Sequence, residues 1–177
     1  VREKNGVLSE RKSTESSRTV LALTAIGKDP ASVAGFNLLK PLADFEQVTK
    51  QGINGTIFAL LALDSHGYPT SGDVTREKLV RAILDTQRED GSWPVIASSQ
   101  VPDVDMTAMA IQALAPYYAA NADVKAAVDK AVSWLAAVQQ ADGSFAETAA
   151  AAASSESCAQ VIVTLTALGI DPVTDSR

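Results

Sequence analysis

The sequence predicts an all-α chain in which inner and outer helices alternate, as in an α/α toroid, and three observations predict it. The 177 residues are 46% hydrophobic but only 5% aromatic, with about thirty alanines. A core of Ala and Leu favours closely packed helices, because Ala is the best helix former and a poor strand former. A motif recurs at fixed spacing: Gln87, Asp90, Gly91, Ser92 and Trp93 return 52 residues on as Gln139, Asp142, Gly143, Ser144 and Phe145. Between the copies runs a different element, apolar nearly all round, as expected of a helix buried on more than one side.

Taken in order, residues 1–12 are charged and polar and read as a linker. The partial toroid is expected over 13–177. Its inner helices are SSRTVLALTAIG (16–27), INGTIFALLALD (53–64), VDMTAMAIQALA (104–115) and CAQVIVTLTALG (158–169), which align without gaps on their Ala-Leu or Ala-Ile pairs. That alignment makes Ser17, Asn54, Asp105 and Ala159 equivalent. Residues 30–45 are expected to supply the first outer helix, with Pro41 at a bend or start. The other two outer helices are the amphipathic segments beginning near Lys78 and Lys130, each ending at its glutamine. There the Asp-Gly pair supplies the left-handed position that closes a helix. Thr75 is a plausible N-cap, ETAAAAASS (147–155) a loop, and Ser155 or Ser157 the cap of the last inner helix.

Several function classes are excluded. The net charge is −6, with 15 Lys+Arg against 21 Asp+Glu, and no basic patch is sustained, so nucleic acid and anionic membranes are not expected partners. No apolar run reaches the roughly 18–20 residues that span a bilayer, and the first residues do not read as a signal peptide. Cys158 has no second cysteine to pair with, and with His66 the only histidine, no zinc site is expected. No cofactor is expected.

KAVSWLAAVQQADGSF (130–145) resembles the squalene-cyclase and prenyltransferase repeat: a basic residue, an aromatic, a glutamine, a glycine and a terminal aromatic, here Lys130, Trp134, Gln139, Gly143 and Phe145. The earlier copy keeps Lys78, Gln87, Gly91 and Trp93 but has Ala82 at the first aromatic. The motif's glutamines, Asp-Gly turns and aromatics are structural, since a solenoid unit cannot bury its faces alone. DMTAMAIQALAPYY (105–118) and SESCAQVIVTLTALGIDP (155–172) are closest to bacterial cell-surface proteins carrying these repeats, and more distantly the toroid is like that of the cobalamin carriers transcobalamin and intrinsic factor. The resemblance implies an exported protein, extracellular or on the surface of a Gram-positive bacterium.

The same resemblance raises one catalytic possibility. DVDMTAMA (103–110) is similar to the acid motif of class II terpene cyclases, which makes Asp105 the general acid and Asp103 its flanking carboxylate. Met106 stands where that motif has a third aspartate, removing a hydrogen-bonding group that tunes the acid. Aromatics are also too few to line a carbocation cavity easily. The competing reading makes Asp103 or Asp105 a helix cap. Cys158 and Gln160 lack the order of a thioester motif, and no Asp-x-Cys zinc pattern is present.

Binding is the favoured alternative to catalysis. In a toroid the inner-helix N-termini converge, gathering polar groups and free N–H donors around a funnel. Asn54, Trp93, Asp103, Asp105 and Ser157 are the candidate ligand-binding residues, with the 96–101 loop beside them. The expected function is a non-catalytic toroid module binding a small ligand, cobalamin-like among the options, or a partner surface; a cyclase-like enzyme and an architectural spacer are the alternatives. Six helix pairs at roughly 50 residues each need on the order of 300 residues. Four inner and three outer helices therefore predict an incomplete toroid, cut near Arg177, with apolar flanks left to another copy or to flanking domains.

Overall fold

Seven α-helices carry the chain in a computed structural model that describes residues 1–96, 98–99 and 101–174. Among these residues the only β pairing is three isolated bridges. The chain divides into two compact units, 1–83 and 84–177.

The first unit is built on two inner helices, α1 (Ser13–Ala25) and α3 (Ile53–Asp64), which pack together, with the short outer helix α2 (Phe45–Thr49) against α3. α1 buries hydroxyls: Ser13, Thr14, Ser16 and Ser17 are all out of solvent. Gln51 answers for part of this, its Oε1 accepting from the Thr14 N–H (3.1 Å) and hydroxyl (3.2 Å) at a helix start that has no side-chain cap of its own. α3 has eight buried residues, including Ile53, Ile57, Leu60 and Leu63, and among its large side chains Phe58 and Leu61 are half-exposed. Gly55 is helical and carries no Cβ because the Val48 carbonyl occupies that space. The amphipathic helix α4 (Arg76–Leu84) buries Leu79, Val80 and Ile83, and Thr75 caps it, accepting from the Lys78 N–H at 3.2 Å.

The helix expected over 30–45 is not there. Its place is taken by two 3₁₀ turns, Pro30–Ser32 and Lys40–Ala43, and the helix begins only at Phe45, with Asp44 as its cap. Between the turns Ala34 and Gly35 take φ of 54° and 87°, which a helix cannot tolerate. Near the N-terminus, residues 2–4 form a 3₁₀ turn and Gly6 lies against the Phe36 ring.

The second unit holds inner helices α5 (Val104–Leu114) and α7 (Ser155–Ala167) and the outer helix α6 (Ala122–Val138). α5 packs on both of the others. α6 buries Val124, Ala127, Val128, Ala131 and Leu135, a stripe at three- and four-residue spacing. The α5–α7 seam is polar: the Thr164 hydroxyl donates to the Ala108 carbonyl (2.9 Å), and Gln112 Nε2 reaches Gln160 Oε1 (2.9 Å). α7 is capped by Ser154, one residue before the earliest expected position, through the Ser157 N–H at 3.0 Å. The four inner and three outer helices match the expected alternation. The outer helices stop short of their glutamines, α4 at Leu84 and α6 at Val138, because the glutamine side chains turn back onto the following loops. The expected break near Arg177 lies outside the described residues.

Candidate functional site

The start of α5 is assembled from three chain segments. Asp103 is the N-cap, its carboxylate accepting the Met106 N–H at 2.7 Å. Its own N–H donates to the Trp93 carbonyl (3.2 Å), forming a one-residue bridge. The Thr107 hydroxyl closes the loop, accepting from the Trp93 N–H (2.9 Å) and donating to the Asp103 carbonyl (2.7 Å). The next N–H, of Val104, donates to the Glu147 carbonyl at 2.9 Å. Thr107, within the quoted DVDMTAMA stretch, thus enters this site through a fourth-residue back-bond, and Glu147, which no sequence pattern marked, through its backbone.

Burial separates the two aspartates. Asp103 is 2% exposed. Burial raises its carboxyl above the usual carboxylate range; the Met106 N–H opposes this, and the Asp105 and Glu147 carboxylates add to it. Asp105, half-buried on the first turn, has a buried Oδ1 with no hydrogen-bond partner. Met106 is buried in the core at 4% exposure.

The other candidates divide by burial. Trp93 is fully buried, as is Ser157, whose hydroxyl accepts from Ser154 Oγ at 3.0 Å. Both build the helix starts and offer a ligand no surface. In the first unit Asn54, second residue of α3, is half-buried and its Oδ1 also lacks a partner. Asn54 and Asp105 are therefore matched twice, in helix position and in an unpaired, buried oxygen. The gapless alignment extends this match to Ala159, and the capping corrects it. Asp103 and Ser154 are both N-caps whose N–H groups donate to the carbonyls of Trp93 and Phe145. Glu156 is then the second residue of α7, and Cys158 stands where Thr107 does, Sγ accepting from the Phe145 N–H at 3.3 Å. α7 has 13 residues against 11 in α5, so matching the helix ends misplaces the starts. Of the 96–101 loop, Ala97 and Gln100 lie outside the described residues.

The repeat turns share one local design. Gln87 Nε2 donates to the Gly91 carbonyl (2.9 Å) and Gln139 Nε2 to that of Gly143 (3.0 Å). Asp90 and Asp142 each accept from the N–H and hydroxyl of the serine two residues on, the hydroxyls at 2.6 Å. For Asp142 the Ser144 hydroxyl and N–H hold the carboxyl below its usual range; for Asp90 burial works against this, but Ser92 and Arg88 prevail. Gly91 and Gly143 have φ of 97° and 85°, and the aromatics that follow, Trp93 and Phe145, are buried.

Among the described residues no group of three or more His, Cys, Asp or Glu has metal-holding geometry, and no helix is long and apolar enough to cross a membrane. No curated protein matches the chain at a significant level. A family model does match, that of the prenyltransferase alpha-alpha toroid domain, over residues 6–176. With inner and outer helices alternating along nearly the whole matched length, the chain belongs to the prenyltransferase alpha-alpha toroid domain family.

Proposed function

We propose that this chain is a non-catalytic toroid module of an exported bacterial protein, binding a small ligand or partner through groups at its inner-helix starts. One observation carries the non-catalytic half. Asp103, expected to flank the acid Asp105, is instead closed off as a helix cap, and Met106 is in the core where a third acidic group would have to act, so neither neighbour is free to tune Asp105. An alkene-protonating acid needs such tuning partners around a carboxyl that faces the substrate. The unpaired oxygens of Asn54 and Asp105 support the binding half, since a buried acceptor without a donor is costly and a ligand N–H or O–H relieves it.

Cyanocobalamin and related corrinoids are the first ligands to test, by equilibrium dialysis and thermal shift. Retention by the wild type is expected, weakened at least fivefold by the alanine variant of the acceptor that takes the ligand's hydrogen bond, tested separately as Asp105→Ala and Asn54→Ala. No retention and no shift removes corrinoids. Incubation with squalene and with geranylgeranyl diphosphate should return both unchanged; a cyclised product lost in Asp105→Asn overturns the non-catalytic reading. The architectural reading has its own support in the exposed apolar face of α7, where Ile162 and Val163 are 51% and 52% exposed.

A further inference from the structure

The first aromatic of the second repeat copy, Trp134, is dispensable to the repeat itself: the first copy has Ala82 in its place and still forms its turn. α6, which carries Trp134, is held upstream by that first turn. Gln87 Nε2 donates to the Ala127 carbonyl (2.8 Å), and a Cβ on Gly91 would stand 2.8 Å from the Lys130 carbonyl. Farther along the helix Trp134 is half-buried and Val138 exposed. They line a pocket of about 300 Å³ together with Val104, Gln140, Glu147 and Thr148. Its far wall is fixed by backbone pairing: the Glu147 carbonyl accepts the Val104 N–H at 2.9 Å, and Ala146 bridges Ala153.

The polar groups of this lining are free. Among the described residues the Trp134 indole, the Glu147 carboxylate and the Thr148 hydroxyl have no hydrogen-bond partner, and the Gln140 side chain uses only its Oε1, accepting from Ser144 Oγ at 3.3 Å. Trp134 Nε1 and Gln140 Nε2 can donate, Glu147 can accept and Thr148 can do both. An anion would meet the Glu147 charge, with no Lys, Arg or His in the lining to offset it. An alkylammonium would use the acceptors and leave both donors idle. A sugar ring uses all four, because each hydroxyl donates and accepts while the C–H face packs on an aromatic. We propose that this pocket binds one neutral pyranose, stacked on Trp134 and hydrogen-bonded to Gln140, Glu147 and Thr148. The first copy cannot build the same site: 52 residues earlier, Glu147 and Thr148 are replaced by Val95 and Ile96. The pocket does not include Asn54 or Asp105, and the inference is independent of the ligand reading above.

Ligand-observed saturation-transfer NMR of the full chain with glucose, galactose, mannose and N-acetylglucosamine, one at a time, is the test. At least one should bind saturably, with Kd below about 10 mM. Trp134→Ala should weaken it more than about tenfold by removing the stacking face. Trp134→Phe and Glu147→Gln should each weaken it about two- to tenfold, the worth of one hydrogen bond. Val163→Ser, exposed and outside the lining, should leave it unchanged; circular dichroism checks that each variant is folded. The proposal is overturned if none of the four sugars saturates by about 50 mM. It is also overturned by wild-type affinity in folded Trp134→Ala or, should that variant not fold, in both Trp134→Phe and Glu147→Gln. Choline bound as tightly as the best sugar, and lost in Glu147→Gln, overturns it too, because the pocket is then a cation site.

Discussion

Gln87–Trp93 and Gln139–Phe145 have the same internal hydrogen bonds, the same glycine conformation and the same buried aromatic, yet one is clamped by α6 and the other faces an apolar groove. The inner helices repeat the contrast. α5 lies between two helices and buries eight residues, whereas α7, less apolar in sequence, buries only Ser157, Val161 and Thr164. Local chemistry therefore makes each turn and helix by itself, and neighbours decide how much stability each contributes.

The sharpest way to break this comparison is at the glycines. Gly91→Ala combines the backbone cost of a positive φ with a collision against the Lys130 carbonyl, and should destabilise by about 2–5 kcal/mol in urea unfolding. Gly143→Ala meets no neighbour and should cost only the backbone share, about 1–2 kcal/mol. Equal losses would mean the clamp adds nothing. Next come the glutamines. Gln87→Ala removes two bonds and should cost about 1–3 kcal/mol, against about 0.5–1 kcal/mol for Gln139→Ala, whose single bond is exposed.

Smaller effects compare the two inner-helix starts. Asp103→Asn keeps the cap and removes the buried charge, so it should change stability at neutral pH by less than about 1 kcal/mol. Its pH dependence is more telling. Because burial raises the Asp103 carboxyl, the native state keeps that proton where the unfolded chain has lost it. Stability from this group is therefore present at low pH and falls as pH rises from the ordinary aspartate value through the raised one. The wild type should show that decline relative to Asp103→Asn; parallel curves would refute it. Ser154→Ala, removing an uncharged cap from α7, should cost about 1 kcal/mol without such pH dependence. The smallest change expected is Cys158→Thr, which installs the hydroxyl of Thr107 at the matching place and should alter stability by less than about 1 kcal/mol.

Much of the fold was legible because it rests on patterns along the chain. The alternation of helices followed from the apolar runs, the turns from Gln-Asp-Gly at constant spacing, and the caps of α4 and α5 from Thr75 and Asp103. The failures have physical causes. Residues 30–45 carry enough Ala and Leu to look helical, but a positive φ at Ala34, a residue with no preference for it, interrupts them. The register of α7 was misjudged from its Ala-Leu end because its start is set by a serine bonded to the Phe145 carbonyl, a contact between segments.

The candidate site was less legible. Asp103, Asp105, Trp93 and Ser157 all stand where inner helices begin, but whether each is a cap, a buried support or an unpaired acceptor depends on what surrounds it. By itself the sequence determined the helical class, the repeat and the chemistry of each turn, since these depend on residues within a few positions of one another. Tertiary structure alone decided which carboxyl is buried, which glutamine reaches a second helix and which apolar face stays open, because burial and pairing are properties of neighbours distant in the chain.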